Sequence, residues 1–132
     1  MKPLILVVDD EPDIEELFRQ QFRRDLKVGR FVMQFASSAP EALEFMERAE
    51  DVSIILLLSD INMPGMSGLD LLRKVKAVRP GLPVIMITAY GDDATRSQAA
   101  ADGAAGLVPK PIDFRDLRSQ VDALLGTLDV LT

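Results

Sequence analysis

The 132-residue chain is predicted to be an α/β protein, a doubly wound sheet of five parallel strands with helices on both faces. Three observations predict it. Short apolar runs alternate five times with segments of helical period, as repeated βα units require. The runs are continuously apolar rather than alternating, which suits strands buried on both faces. The intervening helices are long enough for right-handed crossovers, and the strand order 2-1-3-4-5 is the economical topology that remains.

Each element has its own justification. "LILVV" at 4–8 is the first buried strand, and helical spacing follows from Pro12 through Ile14, Leu17, Phe18 and Phe22. "RFVMQFAS" reads as the second strand and "APEALEFMERA" as a short amphipathic helix. "SIILLLS" is the third strand, and "GLDLLRKVKAV" is a helix stopped by "RPG". "LPVIMIT" is the fourth strand, and "DDATRSQAAADG" is an alanine-rich helix ended by Gly103. "GLVP" is a short fifth strand, in which Pro109 removes a ladder donor. The closing helix runs from Asp113, with Gly126 near its end. No repeat or long linker interrupts the pattern, so residues 1–132 are expected to be one domain with a core of about 4–125.

Composition narrows the chemistry. A net charge of −6 argues against nucleic-acid binding by this chain, since phosphate neutralisation needs a basic surface. No apolar run is long enough to span a bilayer, and "MKPLILVVDD" meets acid too soon for a signal peptide; a cytoplasmic location is expected. There is no cysteine and no histidine. The second absence removes the commonest general base and zinc ligand, along with every Ser-His or Cys-His nucleophile. Chemistry here must run on carboxylates, hydroxyls, lysine and a hard metal ion.

The polar residues fall in a pattern. The first strand runs into Asp9-Asp10-Glu11, the third ends at Asp60, the fourth at Thr88 and the fifth at Lys110. In an open α/β sheet the carboxyl edge is where ligands bind, and strands about 4.8 Å apart let remote residues converge there. Three carboxylates in one crevice repel unless a cation joins them. Oxygen donors without His or Cys select Mg²⁺, or Mn²⁺. Lys110 adds a point charge suited to phosphate, and the turns after Asp60 and Thr88 offer N–H donors. Taken singly, each residue has an ordinary explanation as turn chemistry or a helix start. Their joint placement on one edge does not, and it matches in-line phosphoryl transfer to an aspartate.

The segments "ILVVDDEPDI", "SDINMPGMSGLDLL", "PVIMITAYGD" and the "KP" at 110–111 closely resemble the receiver domain of two-component response regulators, over about Leu4 to Leu125. The resemblance implies a flavodoxin-like three-layer sandwich with Asp60 as phosphoacceptor. It implies Mg²⁺ held by Asp10, Asp60 and the backbone oxygen of Asn62, with Asp9 acting through water. Lys110 and the N–H groups of Asn62 and Ala89 would bind phosphoryl oxygens, and the Lys110–Pro111 peptide would be cis. Thr88 would be the switch residue. The family's aromatic switch position is Leu107 here, a departure from the pattern, and Tyr90 would take part of that role.

The implied partners are a sensor histidine kinase or phosphotransfer protein, and an output domain or target. They would be reached through the face of the fourth helix, fifth strand and fifth helix, with Arg96, Gln98, Arg115 and Arg118. The same face is where a homodimer would form. Self-phosphorylation and autodephosphorylation would be the only reactions. "RQQFRRDLKVGR", with five basic residues, lengthens the first helix–strand connection and reads as a solvated helix end.

Rival readings fit less well, a nucleotide-binding domain least of all, since no glycine-rich phosphate loop follows the first strand. A phosphorylation-independent pseudo-receiver would lack one of the key residues, and none is missing. An aspartyl-phosphate phosphatase would carry a second aspartate two residues after the nucleophile, where this chain has Asn62.

Overall fold

The computed structural model describes residues 3–48, 53–89 and 93–131, with side chains described to Gly126. Its elements in chain order are β1 (Pro3–Val8), α1 (Ile14–Gln21), α2 (Arg23–Lys27), β2 (Val32–Ala36), α3 (Ala39–Arg48) and β3 (Ser53–Asp60). They continue with α4 (Gly68–Val78), β4 (Val84–Thr88), α5 (Asp93–Ala101), β5 (Gly106–Pro109) and α6 (Phe114–Leu131). The five strands are all parallel, in the order β2-β1-β3-β4-β5, as the sequence predicts. The short edge strand β5 carries Pro109 as its last residue, where a missing donor is tolerated.

The sheet separates two cores. Leu4, Leu6 and Val8 of β1 point to one face, under α3, α4 and α5; Ile5 and Val7 point to the other, under α1, α2 and α6. This is the strand period of two. In β3 the parity breaks: Ile54 and Leu57 share the first face, while Leu56 and Leu58 take the second. The cause is a register shift, since Leu4 pairs with Ile54 but Ile5 with Leu56. An extra residue in one strand flips the facing of all that follow.

The second core is aromatic. Phe18 packs on Phe22, Phe35 and Phe114, with centroids 6.0, 6.4 and 5.3 Å away. Helix hydrogen bonds cross the break at Phe22, from its N–H to Phe18 O and from Leu26 N–H to Phe22 O. The predicted first helix is therefore two helices joined at a buried aromatic. Below it, the basic segment is only partly a solvated end. Arg118 Nη1 lies 2.7 Å from Asp25 Oδ2, and its guanidinium sits 4.7 Å over the Phe22 ring while donating to the Gln21 carbonyl. Arg30 Nη1 bridges Asp25 at 3.1 Å and Asp122 at 2.7 Å.

Burial alone would raise the Asp25 carboxyl. Hydrogen bonds from Arg118 and Arg30 outweigh it and hold the carboxyl below its ordinary value. A depressed carboxyl contributes stability above its unfolded pKa of about 3.8, and loses it as pH falls through the lower folded value. Asp25→Asn is therefore expected to cost about 2 kcal/mol at neutral pH, the worth of charged hydrogen bonds. Urea melts from pH 7 to pH 3 should show the gap to wild type closing only in the most acidic samples.

Helix ends follow the side chains available. Ser67 and Asp70 form a reciprocal capping box on α4, and Asp113 Oδ1 accepts from Arg115 N–H at 3.0 Å to cap α6. Gly103, at φ +97°, ends α5 with the paired bonds Gly103 N–H to Ala100 O and Ala104 N–H to Ala99 O. Gly126 does not end α6, which continues to Leu131; a glycine inside a helix costs only about 1 kcal/mol relative to alanine. Among the described residues no helix is long and apolar enough to cross a membrane.

Candidate functional site

The carboxyl edge of the sheet gathers most of the residues singled out. Asp60 ends β3 with its side chain almost wholly buried. Its Oδ2 lies 3.1 Å from Lys110 Nζ, and its Oδ1 accepts from Asn62 N–H at 3.2 Å. Ile61 N–H then bonds Ile87 O at 2.8 Å, which ties the loop after β3 to β4. Lys110 is set by the corresponding bond from β4, its own N–H to Thr88 O at 2.8 Å, and its peptide with Pro111 is cis. Sheet bonds thus fix the backbones that carry both members of the ion pair.

Asp9 lies just past β1, held by Asp9 N–H to Ala36 O. Its Oδ1 accepts from Glu11 N–H at 2.9 Å, whereas its Oδ2 is buried with no hydrogen bond. Lys110 Nζ is 3.5 Å from that oxygen, an ion-pair distance too long for a hydrogen bond. One carboxylate oxygen each from Asp9, Asp10 and Asp60 falls within a 4.8 Å set, with Asp10 exposed to solvent. An orphaned buried oxygen beside two more oxygens fits a hard divalent cation, and the chain has no Cys or His to offer instead. The residues present fit the expected metal.

The electrostatics agree. Burial raises the Asp9 carboxyl; the Glu11 N–H bond opposes this, and the Asp60 charge adds to it. Burial would lower Lys110, but its hydrogen bond to Asp60 and the charges of Asp9 and Asp60 push it up to about 12. Lys110 is therefore a fixed cation at any cellular pH.

The other expected residues are placed as follows. Thr88 is completely buried at the end of β4, and Ala89 and Asn62 are exposed at the rim. Leu107 of β5 pairs with Met86 and is half-buried against the α3–α5 side of the core. Tyr90 lies outside the described residues. The predicted fourth and fifth helices are α5 and α6. Gln98 of α5 is bonded to Asp102, while Arg96 and Arg115 are exposed. Arg118 is spent elsewhere, on Asp25 of α2. Sequence reasoning missed one contact, Glu11 Oε1 to Lys110 Nζ at 3.2 Å. Glu11 stood out only as the third acid of a run.

The site closes beneath Asp60 through α4. Gly68 N–H bonds Ile61 O at 2.9 Å, and a β-carbon on Gly68 would lie 2.1 Å from the Asp60 carbonyl oxygen. The helix start therefore rests directly on the backbone of Asp60. Only glycine permits that approach.

Comparison with known proteins agrees with this geometry. A family model described as the response regulator receiver domain matches residues 5–122. The chain is 38% identical over 109 residues to the C4-dicarboxylate transport transcriptional regulatory protein DctD of Rhizobium meliloti, covering 83% of this chain and 22% of that protein. It is also 38% identical over 122 residues to the response regulator protein PilR of Pseudomonas aeruginosa, covering 91% and 25%. The chain thus spans about a quarter of the length of these curated relatives.

Among solved structures, a CheY-like response regulator receiver domain protein from Methanospirillum hungatei superposes with a TM-score of 0.84, at 28% identity over the whole of both chains. The response regulator protein TrrA of Thermotoga maritima, solved in complex with Mg(2+)-BeF, gives 0.77 at 31% identity, covering 94% of this chain and 99% of that one. From the acidic edge, the strand order and these matches together, the chain belongs to the response regulator receiver domain family of two-component systems.

Proposed function

We propose that this receiver domain takes a phosphoryl group onto Asp60 from a sensor histidine kinase or phosphotransfer protein. The observation that carries the reading is the buried Asp60 carboxylate, ion-paired to Lys110 at 3.1 Å beside two further carboxylates. An Asp60 carboxylate oxygen attacks phosphorus in line as the bond to the donor nitrogen or oxygen breaks. Lys110 stays protonated throughout and neutralises the phosphoryl oxygens, with the Asn62 and Ala89 N–H groups completing the anion pocket. Asp10, Asp60 and the Asn62 carbonyl would hold Mg²⁺, or Mn²⁺, with Asp9 acting through water. The ion supplies charge neutralisation for the carboxylates and the transferred group.

The new charge would draw Thr88, with Leu107 and Tyr90 as the neighbouring switch positions, and bias the α5–β5–α6 face between two states. That face would meet an output domain, a target protein or a second copy of the chain. Residues 1–132 are read as one receiver domain acting in the cytoplasm, the reactions of this domain being its own phosphorylation and autodephosphorylation.

Intact mass after incubation with acetyl phosphate and Mg²⁺ tests the reading. Wild type is expected to gain about 80 Da, one phosphoryl group, only when Mg²⁺ is present, and Asp60→Asn is expected to gain nothing. An adduct that survives in Asp60→Asn would move the acceptor elsewhere. No adduct in wild type would leave a phosphorylation-independent interaction module.

A further inference from the structure

We propose that Glu11 is a positioning residue that competes with the phosphoryl group for Lys110 and thereby slows phosphorylation of the resting domain; this rests on the reading of Asp60 as acceptor. Three carboxylate oxygens surround Lys110 Nζ, from Asp60 at 3.1 Å, Glu11 at 3.2 Å and Asp9 at 3.5 Å. Of the three N–H donors of the ammonium, two are hydrogen-bonded in the resting state, to Asp60 and Glu11, while Asp9 lies at ion-pair distance. A phosphoryl group on Asp60 brings new oxygens that need the same donors.

With two donors already engaged, the new oxygens compete with the resting partners of Lys110. Asp60 carries the group and cannot leave. Asp9 is held at the end of β1, its side chain 1% exposed and its Oδ1 fixed by the Glu11 N–H. Glu11 differs: its backbone is held by that same bond, but its side chain is 60% exposed and reaches across to Lys110 from the solvent side. It is the ligand that can swing away into water. Until it does, it occupies one ammonium donor and sets a negative charge at the mouth through which an anionic donor arrives. Ion pairs this exposed are weak and screened by salt, so the effect should be a modest, salt-sensitive change in rate.

The test is the rate of adduct formation from acetyl phosphate, read by intact mass at saturating Mg²⁺. Wild type, Glu11→Gln and Glu11→Asp are compared at low and high salt. Glu16→Gln, the same charge change on an exposed α1 residue with no contact to Lys110, is the control. Glu11→Gln is expected to form the adduct about fivefold faster at low salt, the equivalent of one exposed ion pair, and to lose most of that gain at about 1 M salt. Glu11→Asp, which keeps the charge, should fall back toward wild type, and Glu16→Gln should not differ from it. Wild type that forms the adduct at the same rate as Glu11→Gln, or faster, would overturn the role of Glu11 alone. An equal gain in Glu16→Gln would also overturn it, by reducing the effect to net charge. Wild type that forms no adduct at all would overturn the phosphoacceptor reading and this inference with it.

Discussion

Alanine at position 68 is expected to cost about 3 kcal/mol of stability, the upper range for overpacking a rigid site, and to impair phosphorylation as well. The added β-carbon would meet three backbone atoms, at 2.1 Å from Asp60 O and 2.8 Å from both Asp60 C and Ile61 Cα. None belongs to a flexible side-chain end, so the relief must come from moving α4 or the end of β3. Moving α4 breaks the Gly68 N–H to Ile61 O bond and disturbs its capping box. Moving β3 displaces the Asp60 carboxylate from Lys110, where shifts near 1 Å are costly to the proposed chemistry. Urea denaturation and the acetyl phosphate reaction measure the two losses separately. Gly81→Ala is the control: nothing lies within 4 Å of its new β-carbon, and little change is expected.

Removing the cation of the site should be comparably severe. Lys110→Met leaves the buried carboxylates of Asp9 and Asp60 without their ammonium, and breaking such a pair costs about 3 kcal/mol or more. Mg²⁺ is expected to restore part of that loss, because it meets the same uncompensated charge. The phosphorylation rate should fall about a hundredfold, as for other lost stabilisers of transition-state charge.

The sign of the pH dependence follows from Lys110, whose folded value is raised from 10.5 to about 12. A raised amine contributes its full stability below the unfolded pKa and loses it as pH climbs through the folded one. The stability gap between wild type and Lys110→Met should therefore stay level from neutral pH to about pH 10 and narrow only in stronger alkali. A gap that closed at neutral pH would show that the pairing with Asp60 is not what stabilises the fold.

Much of this was legible before any coordinates. Apolar runs that stop at Asp60, Thr88 and Lys110 mark strand ends, and a parallel sheet brings such ends to one edge. Their convergence follows from topology, which local periodicity encodes. What the sequence concealed shares a different character. The contact between Glu11 and Lys110 joins residues 99 positions apart, and that between Asp25 and Arg118 joins residues 93 apart. Polar pairings over such separations leave no periodic trace, so Arg118 read as part of a docking face and Arg30 as a solvated end. The break at Phe22 was hidden for a related reason: a buried aromatic at helical spacing looks the same whether or not the helix bends there. Gly126 misled in the opposite sense, because an ordinary stop signal was overridden by a helix that runs on.

The diversion of Arg118 into α2 has a consequence for how the molecule breathes. Asp25 ties α6 to a short helix more than ninety residues earlier in the chain, and Arg30 adds a second tie through Asp122. Opening either helix must break the same guanidinium bonds and expose the same ring of Phe22. The two segments are therefore expected to exchange their amide hydrogens as one cooperative unit, despite lying near opposite ends of the polypeptide. Local fluctuations that loosen α6 are expected to reach the amides of α2 without passing through the acidic crevice at Asp60.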